Sequence, residues 1–197
     1  MPRKKEFDPE VALEKAMRVF WENGYFDTSI RDLIEKTGVN FYGLYSVFGD
    51  KHGVYLRALD LYKNRIVDGV EAIISKNQSL SDCIEALFKF LIQTTTKENG
   101  FTGCMVCNAT IEVAPHDKVV AQKLKTHRGL LEKLLSERLD FAVSKDELGV
   151  GTDVKSLSEF IVANFYTIGL LARSGSSLDQ ITRYTATAKI AIVPNSP

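Results

Sequence analysis

The chain has 197 residues, with 25 Lys plus Arg against 25 Asp plus Glu, 45% apolar residues, five Pro and three Cys. That is enough for one or two compact domains; no apolar run approaches the ~18 residues of a membrane helix, and the N-terminus lacks the apolar stretch of a signal peptide, so a cytoplasmic protein is expected. The odd cysteine count excludes a complete disulfide framework, and the zero net charge excludes a histone-like coat on nucleic acid.

Helical spacing runs the length of the chain. Asp8 and Pro9 open a first helix as N-cap and first helical residue; Ala12, Leu13, Ala16, Val19 and Phe20 line one face, and Gly24 stops it. Thr28 or Ser29 caps a second, short helix carrying Ile30, Leu33 and Ile34, with Ser29 and Asp32 at capping-box spacing, and Gly38 ends it. A third covers roughly 40–48, and Asp50 caps a fourth reaching about 76. Five more are expected at 79 to about 99, 103–114 (stopped by Pro115), 117 to about 144, 153–173 and 178–192. The result is an all-α fold of about nine helices, divided into residues 1–53 and 54–197.

Residues 28–51 carry the most information. They place two short helices on either side of a glycine turn, the spacing of a helix-turn-helix. Counting from Ile30, Gly38 is ninth, where the turn needs a left-handed residue, and Leu33, Val39, Leu44 and Val47 supply the apolar contacts between the helices. Ile34 stands where a small residue is usual, which calls for a wider crossing or a small neighbour such as Gly43. With the ending Phe20-Trp-Glu-Asn-Gly24-Tyr25 of the first helix, the segments Thr28-Ser-Ile-Arg31-Asp and Thr37-Gly38-Val39, and Gly43-Leu-Tyr45-Ser-Val-Phe48-Gly-Asp-Lys51, this stretch resembles the TetR family of one-component transcriptional regulators. The resemblance is close over about the first 60 residues. The remaining length and its broad apolar faces fit that family's helical ligand-binding and dimerisation domain.

A recognition helix offers its N-terminal side chains to base edges, so Asn40, Phe41, Tyr42 and Gly43 are the candidate readers. Asn40 suits adenine, the two aromatics suit thymine methyls, and Gly43 lets the backbone come close. Tyr45, Lys51 and the Thr28 and Ser29 hydroxyls are candidate phosphate contacts, Arg31 reaches for a guanine or pairs with Asp27 or Glu35, and the Arg3-Lys4-Lys5 tail lies along the backbone or enters the minor groove. Residues 1–53 hold eight Lys or Arg and nine Asp or Glu, yet 39–49 contain no acid. Affinity should therefore depend on a few placed cations and uncharged readers.

In the second domain the resemblance implies a pocket for a small inducer. The apolar and aromatic surplus favours an apolar or aromatic ligand, with Phe88, Leu91, Cys104, Met105, Cys107, Asn108, Ile111, Phe165 and Tyr166 as candidate contacts, and Thr110, Glu112 and Asn164 as further polar anchors. The rival reading is a filled core. Cys104 and Cys107, three apart, admit a thiol-based redox or electrophile sensor or simply two small buried residues. His116 is expected to flank the helix after Pro115, and His52 and His127 to be isolated surface residues. No metal-ligand set, catalytic constellation or cofactor motif is present, so no enzyme, metal or cofactor is expected; a small helical enzyme or carrier retaining the helix-turn-helix as scaffold is the other class. The last two helices, with small residues at Gly169, Ala172, Ala186, Ala188 and Ala191, suit a homodimer through a four-helix bundle, which would read a near-palindromic double-stranded operator.

Overall fold

The structure, a computed structural model, describes residues 7–76, 78–97, 100–101 and 103–193, with residues 97, 100 and 101 described by their backbone alone. The Arg3-Lys4-Lys5 tail lies outside the described residues. Among those described, nine helices follow one another: α1 Pro9–Asn23, α2 Ile30–Thr37, α3 Phe41–Phe48, α4 Lys51–Ile74, α5 Leu80–Thr95, α6 Met105–Glu112, α7 Lys118–Ser144, α8 Val154–Arg173 and α9 Leu178–Ile192.

The expected caps are in place. The Asp8 carboxylate accepts from the amides of Glu10 and Val11, and Ser29 and Asp32 form a reciprocal capping box. Gly38, at φ 73° and ψ 13°, supplies the left-handed turn between α2 and α3 at no steric cost. Asn40 stands just outside α3 as its N-cap, and Asp50 caps α4. One boundary differs. The fifth helix ends at Thr95 rather than near 99, and the chain returns through a two-rung antiparallel pair, β1 Thr96–Lys97 with β2 Gly100–Phe101. Thr94, Thr95 and Thr96 are three β-branched residues in a row whose hydroxyls donate back to the carbonyls of Phe90, Leu91 and Ile92, which weakens helix propagation there.

α1 packs on α2 and α4 around Ala16, Met17, Phe20, Leu33, Leu44 and Leu59, all buried, and this fixes α3 on the outside of the N-terminal unit. α4 continues into the second unit, where α5, α7 and α8 pack together and α9 covers α5 and α8. Two expectations are corrected. Gly169, Ala172 and Ala188 face the interior of the chain, not a second copy; the outward stripe of α8 is Phe160, Ala163, Thr167 and Leu170. His127 is not a surface residue, because the apolar face of α7 turns it inward to 4% exposure.

Burial, with the nearby Lys63 ammonium, pulls the His127 pKa down from 6.5 to about 4. The folded chain thus takes up this proton less readily than the unfolded chain. Stability from this group is complete above pH 6.5 and declines as pH falls from 6.5 to about 4, by up to about 3 kcal/mol. Denaturant titrations across that window should show the decline, and His127→Leu should remove most of it.

Candidate DNA-reading surface and ligand cleft

On α3 the aromatic readers point outward. Tyr42 is 82% exposed, and Phe41 is exposed beside it, with its ring 5.6 Å from that of Tyr42 and 4.3 Å from that of Tyr45. Phe41 thus links the other two rings into one aromatic face. The Asn40 side-chain oxygen accepts from the Gly43 amide at 2.8 Å, so pairing bidentately with adenine would cost this cap. Gly43 is small for an inward reason. A Cβ there would sit 2.9 Å from Val39 Cγ1 and 3.2 Å from the Phe7 ring, so a small residue is needed for close packing against those two side chains.

The start of α2 departs from expectation. Thr28 is fully buried and its hydroxyl donates to the Gly24 carbonyl at 2.6 Å, so it is not a phosphate contact. The Ser29 hydroxyl and amide both donate to the Asp32 carboxylate, at 2.7 and 2.8 Å, which places a negative charge where a phosphate was expected. Arg31 is exposed and forms no ion pair with Asp27, Glu35 or any other described residue. The Lys51 ammonium lies 4.5 Å from the centre of the Tyr25 ring, and burial lowers its pKa.

Tyr25 marks the joint between the two units. The Glu112 carboxylate, at the end of α6, accepts from the Tyr25 amide at 3.0 Å and the Phe26 amide at 2.7 Å. Gly24 fits beneath it because a Cβ there would come within 2.7 Å of Glu112 Oε2. Beside it, His52 on α4 meets the Asp117 carboxylate at the head of α7 at 2.6 Å, and the His116 ring packs edge-on against Phe26. The Val120 amide, and then His52, hold the Asp117 carboxyl below the usual range. Thus His52 is a bridging residue, not an isolated one, and Glu112 is committed to the joint and not to a ligand. A second tie lies deeper. The Trp21 indole donates to the Gly103 carbonyl at 2.9 Å, and its ring packs edge-on against Tyr62 at 4.9 Å.

Between α6, α7 and α8 lies a cleft of about 510 Å³, mostly apolar, which brings together Cys107, Ile111 and Tyr166 of the expected contacts with Thr110, Ala114, Leu124 and Leu170; Lys125 and Arg128 stand at its edge. Cys104, Leu91, Phe165 and Tyr166 line instead a small internal void of about 20 Å³, with Tyr62 and His127. The other expected contacts lie elsewhere. Phe88 packs edge-on against Phe165 and borders a groove between α5 and α9, Met105 is fully buried in the core, and the Asn108 amide turns toward the Trp21 carbonyl. Asn164 accepts from the Tyr184 hydroxyl at 2.6 Å, a tie between α8 and α9. Sequence periodicity marked the apolar faces but not which of them meet; Tyr62 and His127 carried no local signal.

Cys104 stands at the head of α6 without a side-chain capping hydrogen bond, and the neighbouring Cys107 thiol holds the Cys104 pKa below the ordinary thiol range. Cys107 donates to the Tyr166 carbonyl at 3.4 Å, and Cys104 beside it together with burial pushes its pKa up.

Residues 12–58 match the family description of bacterial regulatory proteins of the tetR family, and residues 82–188 match the tetracyclin repressor-like C-terminal domain, more than half of the chain in itself. The chain belongs to the TetR family. It is 30% identical to the HTH-type transcriptional repressor ComR of Escherichia coli (strain K12), over 94% of this chain and 89% of that protein. An uncharacterized HTH-type transcriptional regulator of Bacillus subtilis (strain 168), YezE, is 27% identical over 92% and 94%. Among solved structures, a cysteine mutant of the TetR family regulator CifR complexed with 26-bp double-strand operator DNA superposes with a TM-score of 0.86 at 25% identity, covering 96% of this chain and 99% of that one. TetR-family proteins are DNA-binding transcriptional regulators and not enzymes. No helix among the described residues is long and apolar enough to cross a membrane.

Removing the Glu112 carboxylate would return the Tyr25 and Phe26 amides to water. Glu112→Ala is expected to cost about 1 kcal/mol in a denaturant titration and to speed hydrogen exchange at those two amides more than elsewhere in α1.

Proposed function

We propose that this TetR-family regulator is a repressor that binds a near-palindromic operator as a homodimer and is released by a small, largely apolar or aromatic ligand. The functional division falls at 53/54, inside the first turn of α4. The observation that carries the DNA reading is the outward, uncharged aromatic face of α3 on a chain whose 39–49 segment has no acid. In this reading Phe41 and Tyr42 contact base edges, with Asn40 and the Gly43 backbone beside them, while Tyr45, Arg31 and Lys51 place the protein against phosphates and the groove edge. Lys51 would exchange its contact with the Tyr25 ring for a phosphate.

Support for a second copy comes from the outward stripe Phe160, Ala163, Thr167 and Leu170 on α8, with Ala186 and Ile190 on α9. Support for the ligand comes from the α6–α7–α8 cleft, whose volume is that of a site for a small organic molecule. A ligand that fits the cleft only in one position of α6 would shift the Glu112 grip and α4, and so the spacing of the two reading heads. The thiol-sensing alternative is favoured by the Cys104 and Cys107 side chains standing side by side at the start of α6. Replacing both cysteines by Ser separates the two: loss of response with operator affinity intact supports the thiol switch, and a retained response supports reversible binding.

In anisotropy titrations over a range of salt, Tyr42→Ala should weaken operator binding by about 1–3 kcal/mol with little change in nonspecific binding. Lys51→Ala should weaken both and reduce the salt slope by about one. An unchanged operator preference in Tyr42→Ala would remove Tyr42 as a reader.

A further inference from the structure

The small void behind the cleft has an unusual lining for a protein core. Tyr62 is 2% exposed, and among the described residues its hydroxyl has no hydrogen-bond partner of ordinary geometry; the Cys104 thiol and the Met105 amide are near enough to act on it but do not complete such a bond. A buried hydroxyl left unpaired is costly, so its survival here calls for an explanation. Across the void, the His127 ring forms no hydrogen bond with any described residue and is held neutral by burial. Thr95, also at the void, already spends its hydroxyl on the Leu91 carbonyl. The void itself, about 20 Å³, accepts one oxygen-sized atom and little else. Tyr166 borders both this void and the outer cleft, so the two spaces adjoin at that residue.

We infer that the void is the polar end of the ligand site: an uncharged molecule with an apolar or aromatic body in the outer cleft passes a carbonyl oxygen beside Tyr166 to accept a hydrogen bond from the Tyr62 hydroxyl, with the His127 imidazole flanking it. This rests on the reading of the cleft as the inducer site and narrows the ligand class from apolar molecules to neutral hydrogen-bond acceptors. A carboxylate is disfavoured at the inner end because no cation lines the void to compensate its desolvation. Lys125 and Arg128 stand only at the outer edge, where Arg128 is already paired with Glu132 at 2.6 Å. Occupation would also be felt at the DNA-binding unit. The Tyr62 ring packs on Trp21 of α1, so a ligand that draws the Tyr62 hydroxyl into the void loads that contact directly.

The test uses three probes of similar size: acetophenone, which carries a carbonyl; ethylbenzene, which does not; and benzoate, which is anionic. Trp21 is the chain's single tryptophan and touches Tyr62, so its fluorescence reports occupancy, with thermal melting and operator release measured in parallel. The full chain should bind acetophenone about fivefold more tightly than ethylbenzene, the value of one net hydrogen bond, and benzoate more weakly than acetophenone. Tyr62→Phe should erase the preference for acetophenone, leave ethylbenzene binding unchanged, and raise the melting temperature of the free protein by removing an unpaired buried hydroxyl. Equal binding of the two neutral probes, a preference that survives Tyr62→Phe, or benzoate binding most tightly would overturn the inference while leaving an apolar inducer site standing. Absence of any fluorescence, melting or operator response to both neutral probes would overturn the inducer reading as well.

Discussion

Two backbone N–H groups and one carboxylate hold the molecule's two halves in register. The turn after α1 leaves the amides of Tyr25 and Phe26 without helical partners, and Glu112 at the end of α6 accepts from both. A carboxylate that takes two donors fixes an orientation as well as a distance, so the position of α6 is written into the position of α1. α2 and α3 are packed against α1 and α4, and the reading face has no independent freedom from that turn. The Gly24 backbone makes the grip possible, since any side chain there would occupy the space of the carboxylate.

The same helix is tied at its other end. Gly103, just before α6, accepts from the Trp21 indole, so α1 is held near its C-terminus at two points, one at each end of α6. An eight-residue helix clamped in this way behaves as a rigid spacer. Its outer face contributes Cys107, Thr110 and Ile111 to the cleft, and α7 and α8 supply the remaining walls. Whatever fills the cleft therefore pushes on the element that carries both ties. The His52–Asp117 contact adds a third connection between α4 and α7, close to the Glu112 grip.

Local chemistry made most of the fold legible in the sequence. Caps at Asp8, Ser29 and Asp50, the left-handed Gly38 and the three-four spacing of apolar residues depend on neighbours within one turn, and these matched the helices closely. The outward face of α3 was legible for the same reason, because Leu44 is committed inward and Tyr42 must then point out. What the sequence could not display was which of two competing roles a polar side chain takes, or its partners across the fold. Thr28 reads as a polar residue at a helix start, but its hydroxyl closes back on the Gly24 carbonyl; Ser29 reads as an anion-binding cap, but Asp32 takes its donors first. His127 sits among Lys125, Thr126 and Arg128, a polar neighbourhood along the chain, yet the helix turns it to the inside. Glu112 looked like a ligand anchor because the amides it serves are 86 and 87 residues away.

Gly169 adds a constraint on distance. A Cβ at this position of α8 would stand 2.4 Å from Cys104 Cβ, so the backbone of α8 lies directly against Cys104 at the start of α6. One turn of α8 thus faces α6 while the adjoining stripe, Phe160 to Leu170, faces outward. If that stripe meets its copy across a two-fold axis, α6 is measured from the symmetry axis itself rather than from the interior of its own chain. Its far end holds the turn beside the reading head. The molecule would then be a pair of calipers whose pivot is the Gly169–Cys104 contact, which any side chain at 169 would thicken.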